Sequence, residues 1–190
     1  MIEIELDGKK VEIAEGSMVM HAAEKAGTYI PHFCYHKKLS IAASCRMCLV
    51  DVEKMPKPMP ACATPVTQGM VVRTKSESVR RAREGVMELL LVNHPLDCPI
   101  CDQAGECRLQ EFSVEHGHGE SRFREEKVKK PKNVDIGPRI RLDDERCIMC
   151  SRCVRFTREV TGTSEIGVFG RGSKEQIDIF PGRPVNNERS

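Results

Sequence analysis

Apolar and polar side chains alternate along residues 1–14, as they do in a strand with one buried face. The apolar positions are Ile2, Ile4, Leu6, Val11 and Ile13. Asp7-Gly8 separates the two runs, and Asp-Gly between alternating runs is a strong signal for a two-residue turn. The pattern therefore predicts a β-hairpin.

A helix and two more strands are predicted next. Ser17 can cap a helix over residues 18–26, and Gly27 supplies its stop. Residues 49–53 and 71–74 are typical of strands. One hairpin, one helix and two further strands indicate a small α+β sheet packed on a single helix.

A second helix is predicted from Ser76 through about Val92. Its apolar stripe comprises Val79, Ala82, Val86, Leu89, Leu90 and Leu91. These residues recur at helical spacing near one face, so we expect them to form core. His94-Pro95 ends the helix, because the residue before a proline avoids the helical region.

The other segments are more polar. Residues 55–60 are predicted to form a solvated loop, as are residues 115–138 with the basic run at 127–132. Residues 154–160 can form a short helix. The glycines beyond them predict turns and short strands.

The composition leaves little material for a large core. Aromatic residues make up 4% of the chain and charged residues 31%, and such chains commonly rely on metals or disulfides. The net charge of +2 makes no case for nucleic acid. No apolar run approaches the roughly 20 residues of a membrane helix, so any membrane role must come through partners.

All ten cysteines fall into three spaced groups. Disulfides are one interpretation of an even count. The N-terminus lacks the regions of a secretory signal, however, and Cys-x-x-Cys pairs are more typical of metal or redox sites in the cytosol. Because thiolates suit iron–sulfur clusters, zinc and Cu(I), the groups predict metal centres.

The first group is Cys34, Cys45, Cys48 and Cys62. Four thiolates suffice for a [2Fe-2S] cluster, two on each iron. Residues 40–44 are mostly small, which lets backbone N–H groups approach the sulfurs. Zinc is the alternative, but zinc sites more often pair two short knuckles, and Cys34 with Cys62 offers none.

The second group is Cys98, Cys101 and Cys107, one ligand short of a [4Fe-4S] cluster. His94 lies four residues before Cys98, at the end of a predicted helix that would hold it still. The other histidines are most simply surface or packing residues. We therefore predict His94 as the fourth ligand.

The third group, Cys147, Cys150 and Cys153, has the spacing that opens the ferredoxin run binding one cubane. No fourth cysteine follows it. Three interpretations stay open: a truncated chain, a [3Fe-4S] cluster, or a fourth ligand such as Asp143 or Asp178. No dinucleotide turn, phosphate-binding loop or Ser–His–acid trio stands out, so the residues indicate electron transfer without a catalytic site.

In this order the three groups resemble the N-terminal part of one family, the large iron–sulfur subunit (G subunit) of bacterial NADH-quinone oxidoreductase, respiratory complex I. The matching stretches are 30–36, 45–50, 60–65, 93–101, 105–107 and 146–155. Members of this family continue further and supply a fourth cysteine to the last cluster. The chain is therefore expected to be a fragment or a truncated product.

The resemblance implies an α+β chain with four parts. These are a ferredoxin-like β-grasp [2Fe-2S] domain at 1–77, a small helical [4Fe-4S] module at 78–117 with one histidine and three cysteine ligands, a linker loop at 118–139, and the start of a molybdopterin-oxidoreductase-like [4Fe-4S] domain at 140–190. It implies one [2Fe-2S] cluster and one or two [4Fe-4S] clusters as cofactors.

The implied function is to relay electrons from NADH, oxidised at flavin in a partner subunit, toward quinone. Expected partners are the flavin- and NADH-binding subunit and other hydrophilic-arm subunits, on the cytoplasmic side of the bacterial inner membrane. Subunits of NAD-linked hydrogenases and formate dehydrogenases share the layout and are the alternative. A zinc-stabilised interaction module without a redox role is an alternative of another class.

Overall fold

The structure is a computed structural model that describes residues 1–189. Buried apolar side chains form three separate clusters, and each cluster contains or contacts cysteines. No helix among the described residues is both long enough and apolar enough to cross a bilayer.

The N-terminal unit is a five-stranded sheet in the spatial order β2-β1-β5-β3-β4. Its strands are β1 (Ile2–Leu6), β2 (Lys9–Ile13), β3 (Leu49–Val52), β4 (Met59–Pro60) and β5 (Val71–Arg73). β1 runs antiparallel to β2 and parallel to β5. Asp7 and Gly8 take φ of 47° and 82°, as a type I′ turn requires, so the predicted hairpin is confirmed.

One helix, α1 (Val19–Lys25), packs into the same core as the sheet. A mixed sheet around one helix, with β1 and β5 paired in its middle, is the arrangement that the β-grasp prediction requires. The predicted stop is confirmed, since Gly27 takes φ 68°. The predicted cap is wrong by one residue. Met18 holds the cap position, and its N–H donates to Nδ1 of His21 at 3.2 Å, which leaves no capping role for Ser17.

The loop predicted at 55–60 contains a short strand at its end. Residues 55–57 are exposed, as expected. Met59 and Pro60, however, form β4, where Pro60 is buried and pairs with Leu49. A proline fits there because β4 is an edge strand and needs no outward ladder bond.

The second helix, α2 (Glu77–Leu91), begins as predicted, with the Ser76 hydroxyl accepting a bond from the Val79 N–H at 3.3 Å. Its fully buried residues are Val79, Arg83 and Met87. Leu89, predicted as core, is 76% exposed. The predicted stripe is confirmed in part, because Val79 is buried and Val86, Leu90 and Leu91 pack against a buried cluster. The most buried line also includes Arg83 and Met87, which follow Val79 at intervals of four.

A short 3₁₀ turn (Cys98–Ile100) and a helix absent from the sequence-based expectation, α3 (Arg108–His116), follow α2. The buried members of the second core are Phe33, Met47, Met87, Leu109 and Phe112. Two of these come from loops of the N-terminal unit. The second core therefore joins α2 and α3 to the segments that carry the first cysteine group.

The last unit consists of two hairpins and a helix. They are β6 (Val134–Gly137), β7 (Ile140–Leu142), α4 (Arg152–Glu159), β8 (Ile166–Phe169) and β9 (Gln176–Ile179). The short helix and the glycine-punctuated strands are confirmed, but the loop predicted over 115–138 is wrong at both ends. β6 forms by pairing antiparallel with β7; its Ile136 is buried, and the Ile136 carbonyl also accepts from the Val185 N–H at 2.7 Å. Gly137 permits this approach, since a Cβ there would lie 2.2 Å from the Val185 oxygen.

Candidate metal centres

The four cysteines of the first group lie side by side at one end of the N-terminal sheet. The N–H of Ala61 donates to the Cys48 carbonyl at 3.0 Å, so the pairing of β3 with β4 fixes Cys48 next to Cys62. The sulfur of Cys34 is in hydrogen-bond contact with those of Cys45 and Cys62, and the sulfur of Cys48 with that of Cys62. The structure brings together all four residues that the spacing predicted.

Backbone N–H groups converge on the sulfur of Cys45. The N–H of Cys34 lies 3.4 Å from this sulfur. Arg46 takes a left-handed φ of 58°, and the N–H of Met47 reaches the same sulfur. N–H···S bonds stabilise negative charge on a sulfur and tune the reduction potential of a cluster bound to it.

The four thiols of this group share their protons unevenly. The pKa of Cys34 lies far below its ordinary value, because the thiols of Cys45 and Cys62 donate to its sulfur. The pKa of Cys48 falls to about 7, mainly because it accepts from Cys62. The pKa values of Cys45 and Cys62 are raised, since each holds the proton that it donates to Cys34. Two of the four sulfurs therefore ionise readily, as metal ligands must.

A buried arginine on α2 lies beside this site. Arg83 is 6% exposed, and its Nη2 donates to the Leu49 carbonyl at 3.1 Å. Burial lowers the pKa of Arg83, and the neighbouring Cys48 thiolate opposes that shift. The sequence-based prediction missed this residue, although its position four residues from both Val79 and Met87 was a signal that it lies on the buried face.

The second group surrounds a cavity of about 1030 Å³. His94, Cys98, Cys101 and Cys107 all line it, together with residues of α2 and α3. Cys98 is exposed and the other two cysteines are half-buried. The structure therefore places the four predicted residues around one cavity. They lie on turns, and among the described residues no pairing of β-strands fixes them as β3 and β4 fix Cys48 and Cys62.

His94 is held by the segment that follows α3. The ammonium of Lys127 donates to the last carbonyls of α2, Leu91 and Val92, at 2.9 Å each. The N–H of Val128 donates to the Asn93 side-chain oxygen at 3.0 Å. Burial, and then the charge of Lys127, lowers the pKa of His94. The imidazole is therefore neutral at physiological pH, as a metal ligand must be.

An ion-pair network joins the second and third groups. Lys132 pairs with Asp97, which precedes Cys98, and with Glu145 at 2.7 Å. Arg146, which precedes Cys147, lies 3.5 Å from the same Asp97. The basic run at 127–132 was predicted to be a solvated face. That prediction is wrong for Lys127 and Lys130, which are half-buried and bond to carbonyl oxygens; Lys132 is exposed as predicted, although it pairs with carboxylates.

The third group lies on a tight loop leading into α4. Cys147 and Cys150 are half-buried and Cys153 is exposed. Met149 and Ser151 take left-handed φ of 54° and 57°, and the Met149 N–H lies 3.4 Å from the Cys147 sulfur. Burial raises the pKa of the Cys147 and Cys153 thiols. These two raised pKa values contrast with the lowered pKa values of Cys34 and Cys48 in the first group.

Both carboxylates suggested as a fourth ligand accept hydrogen bonds from nearby backbone N–H groups. Asp143 accepts from the backbone N–H groups of Glu145 and Arg146 at 3.1 and 3.2 Å. Asp178 accepts from its neighbour Ile179 at 2.7 Å. Asp144, which the sequence-based prediction missed, is 4% exposed, and burial raises its pKa.

The sulfurs of these groups are not arranged around single points. Among residues 1–189, no three Cys, His, Asp or Glu side chains converge as they would around one bare metal ion. The contacts in the first group run from Cys45 through Cys34 and Cys62 to Cys48, so its four sulfurs form one connected set.

Three family models match consecutive parts of the chain. Residues 1–77 match a 2Fe-2S iron-sulfur cluster binding domain. Residues 83–122 match the NADH-ubiquinone oxidoreductase-G iron-sulfur binding region, and residues 137–190 match the ferredoxin-like domain of NADH-quinone oxidoreductase subunit 3. Each match contains one of the three cysteine groups.

Curated relatives match over the full chain. It is 53% identical over 190 residues to the mitochondrial NADH-ubiquinone oxidoreductase 78 kDa subunit of Candida albicans, and 48% identical over 190 residues to the G subunit of the NADH-quinone oxidoreductase of Rickettsia felis. The chain spans 26% and 28% of the length of these two relatives.

A solved structure matches closely in shape. It is a chain of an NAD+-reducing [NiFe]-hydrogenase in the H2-reduced state, with a TM-score of 0.89 and 30% identity, matched over 98% of the present chain and 80% of that one. The family models and relatives confirm the resemblance inferred from the sequence. Over its full length the chain matches part of the NADH-quinone oxidoreductase G subunits, and it carries the 2Fe-2S and 4Fe-4S binding regions that the three family models describe.

Proposed function

We propose that the chain relays single electrons between iron–sulfur clusters within an NADH-quinone oxidoreductase complex. One observation carries the proposal: side chains of the intervening segments tie the three cysteine groups directly to one another. Arg155 bonds to the carbonyls of Cys34 and Cys150, and Lys132 joins Asp97 to Glu145. Closely spaced centres in one chain are what a relay needs.

The proposed ligands follow the three groups. Cys34, Cys45, Cys48 and Cys62 would hold a [2Fe-2S] cluster, and His94, Cys98, Cys101 and Cys107 would hold a [4Fe-4S] cluster. Cys147, Cys150 and Cys153 would be three ligands of a second [4Fe-4S] cluster. Such clusters accept and release one electron at a time, at potentials set by hydrogen bonds and burial. The protein supplies both at the first group.

The domain boundaries proposed are those predicted from the sequence, 1–77, 78–117, 118–139 and 140–190, with β6 beginning inside the third. The proposed partners are the flavin- and NADH-binding subunit and other hydrophilic-arm subunits, on the cytoplasmic side of the membrane and in contact with it only through the complex. The names of the relatives support the complex, and the half-buried, uncharged imidazole of His94 supports a 4Fe module.

A second candidate is the corresponding electron-transfer subunit of an NAD-linked hydrogenase. The TM-score of 0.89 against a chain of an NAD+-reducing [NiFe]-hydrogenase favours it specifically. Both candidates assign the same task to these residues and differ in the electron donor and in the final electron acceptor.

Iron and sulfide analysis of anaerobically purified chain tests the proposal. Three complete clusters correspond to about ten irons per chain, and an empty third site to about six. We expect a brown sample whose dithionite-reduced form gives separate [2Fe-2S] and [4Fe-4S] EPR signals. A colourless sample that contains zinc but neither iron nor sulfide would refute the relay and favour the interaction module.

A further inference from the structure

Arg155 occupies the contact between the first and third cysteine groups. It lies on α4, two residues after Cys153, and is 4% exposed. One nitrogen, Nη2, donates both to the Cys34 carbonyl at 2.6 Å and to the Cys150 carbonyl at 3.2 Å. A single guanidinium nitrogen therefore bridges the backbone of residues in two different groups.

The remaining nitrogens of Arg155 strengthen the same contact. Nη1 donates to the Ser40 carbonyl, on the loop between Cys34 and Cys45. Nε lies 3.3 Å from the Ser151 hydroxyl, on the loop between Cys150 and Cys153. Each loop thus receives bonds from more than one nitrogen. The planar, forked shape of guanidinium makes such a clamp possible, and a lysine ammonium cannot reproduce it.

Two neighbours on α4 complete this interface. Arg152 donates to the Tyr35 carbonyl, and the Glu159 carboxylate accepts from the Ser40 N–H at 2.8 Å. Arg158, on the same helix, is exposed and pairs with Glu159 at 2.8 Å. It does not belong to the clamp in the described part of the chain, which makes it a matched control.

The charge of Arg155 has an electrostatic consequence. Within residues 1–189 its bonds go to carbonyl and hydroxyl oxygens, which satisfy its N–H groups but do not neutralise its charge. A buried unpaired cation is costly unless another group compensates it. Clusters ligated by thiolates carry negative charge, and the reduced form carries one unit more, so a cation between two clusters favours the reduced form of both.

We propose that Arg155 is a positioning residue shared by the first and third clusters, which clamps the loops of Cys34 and Cys150 together and raises the reduction potential of both centres. This inference rests on the ligands assigned under the proposed function. An electron that crosses this contact oxidises one cluster and reduces the other, and no bond forms or breaks.

The test is a redox titration of the anaerobically loaded chain, followed by EPR, with Arg155→Gln, Arg155→Lys and the control Arg158→Gln. For Arg155→Gln we expect the reduced-to-oxidised ratio of the first and third clusters to fall about tenfold at a fixed potential, or about 59 mV for a one-electron couple. The second cluster, outside the clamp, serves as an internal reference. Arg155→Lys keeps the charge but loses the fork, so both signals should shift in the same direction by less. Arg158→Gln should shift neither.

Several results would overturn the proposal. In iron-loaded Arg155→Gln, these are an unchanged reduction potential of the first cluster, a change in the potential of only one of the first and third clusters, or an equal change in the potential of the second cluster. A wild-type chain that gives no EPR signal from the third group would also overturn it. If Arg155→Gln does not retain iron, Arg155→Lys decides, and its potentials matching those of the wild type would refute the clamp. Failure of the proposed function looks different, because the wild-type chain itself would then lack [2Fe-2S] and [4Fe-4S] signals.

Discussion

The first cysteine group lies in a buried, closely packed site, whereas the second lines an open cavity. In the first, three of the four cysteines are buried, and the β3–β4 ladder and backbone N–H groups hold the sulfurs in mutual contact. In the second, His94 and three cysteines surround a cavity of about 1030 Å³, and Cys98 is exposed. The core beneath the second group contains five buried side chains, against seventeen beneath the sheet.

The first group is therefore a site that the fold of the protein forms, whereas the second group is a site whose bound metal would help to form the fold. At the first group the β3–β4 ladder positions Cys48 and Cys62 next to each other before any metal binds. Ligands on turns around an open space gain their geometry from the metal, and the binding energy then becomes folding energy. We therefore expect the metal to contribute little to the structure of the N-terminal sheet and much to that of the segment carrying the second group.

Removing the metal should give the largest effect. Structural metal sites contribute roughly 10 kcal/mol or more of folding energy, so amide exchange around the second cavity should rise by about 100-fold or more in chelated chain. Amides of β1 and β5 should remain protected. Hydrogen–deuterium exchange of the intact loaded and chelated chain measures both. If the amides around the second cavity and those of β1 and β5 lost protection equally, the proposed difference between the two sites would be wrong.

Truncating the core under the second group should give the next largest effect. Phe112 is 3% exposed and packs edge-on against Phe33 at a centroid distance of 5.1 Å. Phe112→Ala should lower the free energy of unfolding by about 3–5 kcal/mol, because it leaves a cavity in a small core. Val114→Ala, on the same helix but 87% exposed, is the control and should change it by about 0.5 kcal/mol at most.

Denaturant unfolding followed by circular dichroism measures both variants. If the first site is formed by the sheet alone, the [2Fe-2S] EPR signal of Phe112→Ala should persist at concentrations of urea where the cubane signal of the second group has gone. Simultaneous loss of the two signals would show that the sites depend on one core.

The smallest effect concerns the exposed rim of the α4 interface. The Ser40 hydroxyl and N–H lower the pKa of Glu159 to about 2, from an ordinary value of 4.5. A carboxyl whose pKa is depressed by folding stabilises the protein above its ordinary pKa, and this contribution is lost as the pH falls toward 2. Glu159→Gln should therefore be less stable than the wild type at pH 7.

The difference between wild type and Glu159→Gln should shrink as the pH drops below about 4.5. Urea midpoints at pH 7, 5 and 4 measure it, with Glu120→Gln, at another exposed position, as the control. A difference that stays constant over this range would mean that the charge of Glu159 plays no part in the contact.

Local signals predicted well what local physics decides. The predictions of a hairpin at Asp7-Gly8, of a helix stop at Gly27 and of a helix cap at Ser76 are all confirmed. Each depends only on backbone conformation or on a hydrogen bond within a few residues. Predictions failed where a distant partner intervened. Lys127, expected on a solvated face, bonds to the carbonyls of Leu91 and Val92. Leu89 lies outside the core because Arg83 and Met87 occupy the side of α2 that packs against β3 and α3.

The candidate sites divide in the same way. The spacing of cysteines, with His94 before Cys98, was sufficient to select the groups of residues that the structure brings together, since ligands close in sequence are close in space. Arg83 and Arg155 were invisible to that reasoning. Their roles depend on which carbonyls lie opposite them, and those carbonyls belong to segments far away in the chain.

The sequence by itself indicated three groups of candidate ligands and the order of the three iron–sulfur binding regions, because thiolate chemistry and short spacings suffice for that. Tertiary structure decided which centre is formed in advance, which one remains open and what lies between them. The physical reason is that burial and charge at a site come from every segment packed against it. The Arg155 clamp joins carbonyls of residues 34 and 150, a relation that no local pattern encodes.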